Sequence, residues 1–321
     1  MKKTIYCSTV IALAALVFAA CTKNATEAEE VGWGQKMHVI PLMASGNTGF
    51  TEADDIQTFM LRISGAAKSQ YNYYAAMTLE NGEWKSKLID PSTGATGDGF
   101  QMLWANTTSP VTAAAIFCNN TMVKESDFPK LTIEVPEDQT SPEKVKATDW
   151  LYMAPKQFNP ADRDVTVEFA HMMAKLTVKV TLDDEFNAVP GTQTNPIERI
   201  TVGSYTDKFD FMIDEEGGQW WMNAVASSSQ NKTISPCITG FTAGELGTKK
   251  AVAEYECLMI PWKIPAGYFT VKIEINGTEY EWKATTETQF EVNHSYELAL
   301  NVGTDKKSTL ARSISVKSWK D

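Results

Sequence analysis

One stretch limits the fold of this chain more than any other: Val165-Thr-Val-Glu-Phe169-Ala-His171-Met-Met-Ala-Lys175-Leu-Thr-Val-Lys-Val-Thr-Leu182. Its apolar residues fall first at odd positions (Val165, Val167, Phe169) and then at even ones (Leu176, Val178, Val180, Leu182). A repeat of two is the signature of a β-strand with one buried face. Such a repeat cannot change phase without an extra residue or a turn. The stretch therefore predicts strands on both sides of a bulge or tight reversal near residues 170–175. His171 continues the odd, core-facing phase just where the register changes. It is expected to serve backbone groups that the irregularity leaves unpaired.

The same period recurs elsewhere, and no long helical period accompanies it. Phe269, Val271, Ile273 and Ile275 alternate with polar residues, as do Tyr296, Leu298, Leu300 and Val302. Asn81-Gly82 and Asn276-Gly277 each separate two such runs, and Asn-Gly favours the left-handed backbone of a type I′ hairpin turn. The reading is all-β, sheet packed on sheet. A chain of 321 residues suits two such domains of about 130–150 residues each. The polar segment 183–196, with Pro190, Gly191 and Pro196, reads as the linker. The expected division is 37–185 and 186–321. The formal net charge of −11 disfavours nucleic acid as a partner, because an acidic surface repels phosphates.

Residues 1–20 read as a targeting segment outside the fold: Lys2 and Lys3, then an apolar run from Val10 to Phe18, too short to span a bilayer. Phe18-Ala19-Ala20-Cys21 is similar to a bacterial lipobox, with Phe18 where Leu or Val is usual. The expectation is acylation of the Cys21 thiol and anchorage in the outer membrane; a secretory signal with a chance cysteine is the alternative. Residues 21–36, with Glu27, Glu29 and Glu30, read as a lipidated tether. Cys118, Cys237 and Cys257 remain. Cys118 and Cys257 sit in apolar runs and read as buried small hydrophobes; a Cys237–Cys257 disulfide stays open as an alternative.

Chemistry-bearing patterns are few. No CxxC, HExxH, G-x-S-x-G or phosphate-loop spacing occurs, so no metal, cofactor or catalytic residue is expected and the chain reads as no enzyme. His171 reads as a structural histidine before a catalytic base. Asp54-Asp55, Asp183-Asp184-Glu185 and Glu215-Glu216 read as solvated turns before a glycosidase pair. Trp220-Trp221 is the candidate ligand contact: neighbours in a strand face opposite ways, so one indole enters the core and one faces out.

Phe169-Ala-His171-Met-Met-Ala-Lys175-Leu176 resembles the F-x-H-x-x-(A/S)-(K/R)-(L/I) signature of the fimbrillin-like proteins of Bacteroides and relatives. Trp104, the strand 111–118, Trp150-Leu-Tyr-Met-Ala-Pro155, the run from His294 to Val302 and Ile314-Ser-Val316-Lys-Ser-Trp319 are similar to the family's other stretches, in the same order. The resemblance implies two tandem transthyretin-like β-sandwich domains and a place among the surface lipoproteins that build type V pili. It implies loss of an N-terminal segment between Cys21 and roughly residue 45, and assembly by β-strand exchange with other pilus subunits or with itself. The donor candidates are residues 313–319, with Ile314, Val316 and Trp319, and also 296–302. No Arg occurs from Cys21 to Met60, where the family's major subunits are cut. That departure leaves open a cut at Lys36, an uncleaved anchor or tip subunit, or a family member that never polymerises. The runner-up reading is a monomeric glycan-binding surface lipoprotein, with a host glycan or protein as partner.

Overall fold

A computed structural model describes residues 35–43, 51, 53–89, 95–119, 123–128, 130–186, 194–214, 219–224, 232–303 and 310–318. Cys21, Trp319 and the 1–20 segment lie outside them. The described chain is all-β, with one short helix at Pro142–Thr148 among brief 3-10 turns.

The largest sheet takes eight strands: β1 (His38–Met43), β2 (Thr58–Ser64), β3 (Tyr73–Glu80), β4 (Glu83–Ile89), β5 (Thr96–Phe100), β6 (Val111–Phe117), β8 (Leu151–Phe158) and β9 (Asp164–His171). They run in the order β1-β9-β8-β6-β2-β3-β4-β5. Turn chemistry makes the first hairpin: Asn81 and Gly82 take positive φ (54° and 81°), and β3 pairs with β4 across them. One face of this sheet buries Phe59, Leu61, Ala75, Met77, Val167 and Phe169 around Trp104. The other face carries Met60, Ala76, Ala114, Ile116 and Cys118. That face packs with a three-stranded sheet of β7 (Lys130–Glu134), β12 (Lys208–Asp214) and β13 (Gln219–Ala224), with Tyr152 edge-on to Phe211 at 5.3 Å.

A five-stranded sheet runs β15 (Cys237–Thr242), β16 (Ala251–Met259), β10 (Ala174–Leu182), β21 (His294–Val302), β22 (Leu310–Ser318). A four-stranded sheet runs β14 (Lys232–Ile234), β11 (Ile197–Ser204), β18 (Thr270–Ile275), β19 (Thr278–Lys283). The inner residues of both, including Val178, Val180, Leu298, Val271 and Ile273, join one cluster. β18 and β19 meet at the second Asn-Gly turn, with Asn276 φ 51° and Gly277 φ 68°.

The phase change at residues 170–175 is a crossing between sheets. β9 ends at His171 in the eight-stranded sheet, and β10 begins at Ala174 in the five-stranded one. Met172 and Met173 between them are fully buried. Met172 N–H donates to Trp150 O at 2.8 Å, and Met173 O accepts from Asn293 N–H at 3.1 Å. The inversion of buried parity is what lets one continuous chain feed two cores. Three hydrogen-bond ladders also cross residue 185. β10 pairs antiparallel with β16 and parallel with β21, and β12 pairs with β7.

Candidate functional site

The residues of the 169–176 signature occupy two cores. Phe169, fully buried, meets Phe59 edge-on at 5.3 Å on the first sheet. Leu176, fully buried, belongs to the second cluster. Lys175 reaches outward, its Nζ 3.9 Å from Glu256 Oε1 on β16, where Thr177 Oγ1 donates at 3.0 Å.

His171 is the polar centre of the crossing. Its Nδ1 lies 2.6 Å from Asp149 Oδ1, and neither side chain has any exposure. Its backbone N–H donates to Asn293 Oδ1 at 3.3 Å. Asn293 adopts φ 59°, which Asn tolerates better than most residues. Nδ1 of the His171 ring is held by a carboxylate, and at the crossing Trp150 O accepts from Met172 N–H while Asn293 serves His171 N–H and Met173 O. Asp149 Oδ2 is buried and has no hydrogen-bond partner among the described residues. Asp149 follows the helix as its C-cap, and Trp150 leads into β8. His171 therefore pins the end of the eight-stranded sheet to the loop before β21. Asp149 and Asn293 were not legible as partners, because 22 and 122 residues separate them from His171.

Gln139, fully buried, acts as an inserted piece of backbone. Its Oε1 accepts from Leu258 N–H at 2.8 Å, and its Nε2 donates to Leu258 O at 3.1 Å. It thereby closes β16 beyond the point where β15 stops.

The thiols of Cys118, Cys237 and Cys257 are free and buried. Cys237 stands opposite Glu256 in the β15–β16 ladder, whereas Cys257 stands opposite Leu176 on the core face of β16. Neighbouring positions on one strand point to opposite faces, which keeps these two sulfurs apart. Burial pushes the Cys118 and Cys257 thiols well above their ordinary range. Two of the acidic clusters are paired at the surface: Asp55 with Lys146 and Asp183 with Lys250. His38 is exposed beside Asp164, and His294 Nδ1 lies 2.7 Å from Val292 O. Among the described residues, no group of three or more His, Cys, Asp or Glu is placed to hold a metal ion. Trp220 and Trp221 lie in β13, opposite Ile213 and Met212; their side chains fall outside the description.

What remains is a set of edges. Among the described residues β22 is the outermost strand of the five-stranded sheet, paired with β21 alone, and Val316 is 55% exposed on it. β21, the other donor candidate, is an inner strand with Leu298 and Val302 fully buried. β1 is the outermost strand of the eight-stranded sheet, parallel to β9, with Val39 buried and Leu42 46% exposed.

Packed sheets with a buried histidine at the crossing and long strands at their edges define the class: an all-β protein. Comparison narrows it. The chain belongs to the fimbrillin-like family, whose sequence profile matches residues 43–319. Among solved structures, a candidate cell adhesion protein from Bacteroides ovatus aligns with TM-score 0.58 at 13% identity, over 88% of this chain and 97% of its own. A second, from Bacteroides uniformis, aligns with TM-score 0.56 at 14% identity, over 86% of this chain and 97% of its own. At such identities the likeness is one of fold. No curated protein sequence matches the chain.

Proposed function

We propose that this chain is a non-catalytic, adhesive subunit of the bacterial cell surface that joins a fimbrium by β-strand exchange. The family and the neighbours named for cell adhesion support the surface role. The observation that carries strand exchange is the position of β22. It is the last described strand, it is held by one neighbour, and it can leave without unpairing any inner strand. Donated to another subunit's open sheet, it would gain a new ladder of backbone hydrogen bonds, with alternate side chains filling pockets.

In this proposal the Cys21 acyl chains hold the protein in the outer membrane, each buried methylene contributing about 0.8 kcal/mol. β1 stays in place. No Arg lies between Cys21 and Met60, and a cut after Lys36 would leave the whole of β1 attached. A subunit that keeps its first strand donates but does not accept there, which suits an anchor or tip better than a repeating stalk.

Deleting residues 313–321 should abolish the SDS-resistant ladders that the intact protein forms with other subunits in the cells that make it. If the intact chain never enters a ladder, strand exchange is wrong. Cys21→Ser should abolish labelling by a fatty-acid probe; unchanged labelling would refute the anchor.

A further inference from the structure

Two Asn-Gly turns of the same kind differ in one contact. At each, both residues take positive φ, and the flanking strands pair right up to the turn: Glu80 stands opposite Glu83 in β3–β4, and Ile275 opposite Thr278 in β18–β19. All four turn residues are exposed. Asn-Gly suits such a turn because both residue types tolerate left-handed backbone. The same pair carries a reactivity. The glycine has no side chain to hinder its nitrogen, which can therefore reach the carboxamide of the asparagine before it.

At the second turn that nitrogen is occupied. β11 and β18 match Ile197 with Ile275 and then Arg199 with Glu274, which leaves Glu198 as an extra residue. A bulge of this kind re-aims a side chain. Here Oε2 of the Glu198 carboxylate accepts from Gly277 N–H at 3.2 Å, a charge-assisted hydrogen bond. At the first turn Gly82 N–H has no hydrogen-bond partner among the described residues. The neighbouring Glu80 carboxylate is held by Lys85 and Lys87. Nothing lies within 4 Å of a Cβ placed on either glycine, so packing shields neither turn.

Position in the sheet would order the two turns the other way. β4 lies between β3 and β5, whereas β19 is, among the described residues, the outermost strand of its sheet. The backbone of a turn must rotate before the glycine nitrogen meets the side chain, and an edge strand opens more readily than an inner one. Glu198 opposes the reaction at Asn276 in two ways. Its hydrogen bond must break first. Gly277 N must then lose its proton beside a negative charge, which disfavours the anion.

We propose that Asn81 is a site of spontaneous deamidation and that Glu198 shields Asn276 from the same reaction. Hydroxide from solvent takes the Gly82 N–H proton, and the nitrogen forms a bond to Asn81 Cγ. The Cγ–Nδ2 bond then breaks, and ammonia leaves with a proton from water, which regenerates hydroxide. Water opens the resulting succinimide at either carbonyl, giving aspartate or its β-linked isomer; no oxidant or reductant takes part. The β-linked product adds a methylene to the main chain inside a two-residue turn that sets the register of β3 on β4. The inference does not depend on the adhesive role or on strand exchange.

The test is peptide mapping by mass spectrometry on the full mature chain, incubated native at pH 8.5 and 37 °C beside a sample unfolded in guanidinium. The mass gain that marks exchange of NH2 for OH is read at both asparagines, and labelling by an isoaspartyl methyltransferase reads the β-linked product. In the native chain Asn81 should convert at least tenfold faster than Asn276. In the unfolded chain, where the Glu198 contact is gone, the two rates should agree within about threefold. Glu198→Ala should raise the Asn276 rate at least fivefold and leave the Asn81 rate and the unfolding midpoint unchanged. Glu198→Gln, which keeps an acceptor without the charge, should fall between. Asn276 keeping pace with Asn81 in the native chain would overturn the proposal, as would an Asn276 rate unmoved by both substitutions. A slower Asn276 in Glu198→Ala would do the same, because it would make the carboxylate a base and not a shield. So would an Asn81 still intact after ten half-lives of the unfolded chain.

Discussion

Removing the His171 ring should destabilise this protein more than any surface change. Asp149 has no exposed side-chain surface, its Oδ1 rests on His171 Nδ1 at 2.6 Å, and its Oδ2 already lacks a partner. In His171→Ala the carboxylate keeps its burial and loses the imidazole 2.6 Å from its Oδ1. Breaking a buried pair from one side typically costs about 3–5 kcal/mol, most of it from the stranded charge. For a chain of this size that corresponds to a fall in Tm on the order of 10 °C. Urea unfolding followed by tryptophan fluorescence measures it. The stranded charge also predicts how the double variant behaves. Asp149→Ala with His171→Ala removes the orphan, so the pair should cost clearly less than the sum of the singles. A loss below about 1 kcal/mol in His171→Ala, or strict additivity in the double variant, would refute the view of the buried His171–Asp149 pair as the pin of the crossing.

Three further outcomes follow from other contacts. Gln139→Leu leaves the N–H and C=O of Leu258 without their side-chain partners, and should cost about 1–3 kcal/mol in the same unfolding assay; an unchanged midpoint would show that another group takes over. Cys118 and Cys257 should resist an aqueous thiol reagent at pH 8 in the native protein and react fully in 6 M guanidinium, because burial disfavours the thiolate; rapid native labelling would contradict the packing. The Lys144 ammonium, followed by the Thr140 hydroxyl and backbone N–H, holds the Asp138 carboxyl down at about 2. A depressed folded value makes this contribution present above the ordinary carboxylate range and lost as pH falls through about 2. Lys144→Ala should move the Asp138 titration upward by NMR, and no movement would exclude Lys144 as the main cause.

Local chemistry accounts for much of what was readable. The alternation in β9, β10, β18 and β21 needs only a strand with one wet and one dry face, and the burial follows it residue by residue. The Asn-Gly pairs turn because two adjacent residues there adopt positive φ, a property of those residue types alone. The inversion at 170–175 was readable as an event and not as its kind. A bulge, a reversal and a crossing between sheets all shift the phase by the same amount. Family membership was legible from the 169–176 signature and the order of the motifs around it.

By itself, then, the sequence determined the class of fold, the strand faces, the hairpin turns and the family. Each depends on contacts made within a few residues or on a pattern carried along the chain. The tertiary structure alone decided that β10 lies between β16 and β21, that Asp149 meets His171, and that β1 and β5 close at one end and leave a cleft at the other. The physical reason is common to all three. A backbone ladder is nearly blind to residue type, and a buried carboxylate can come from anywhere the chain passes, so the choice of partner is settled only when distant segments compete for the same core.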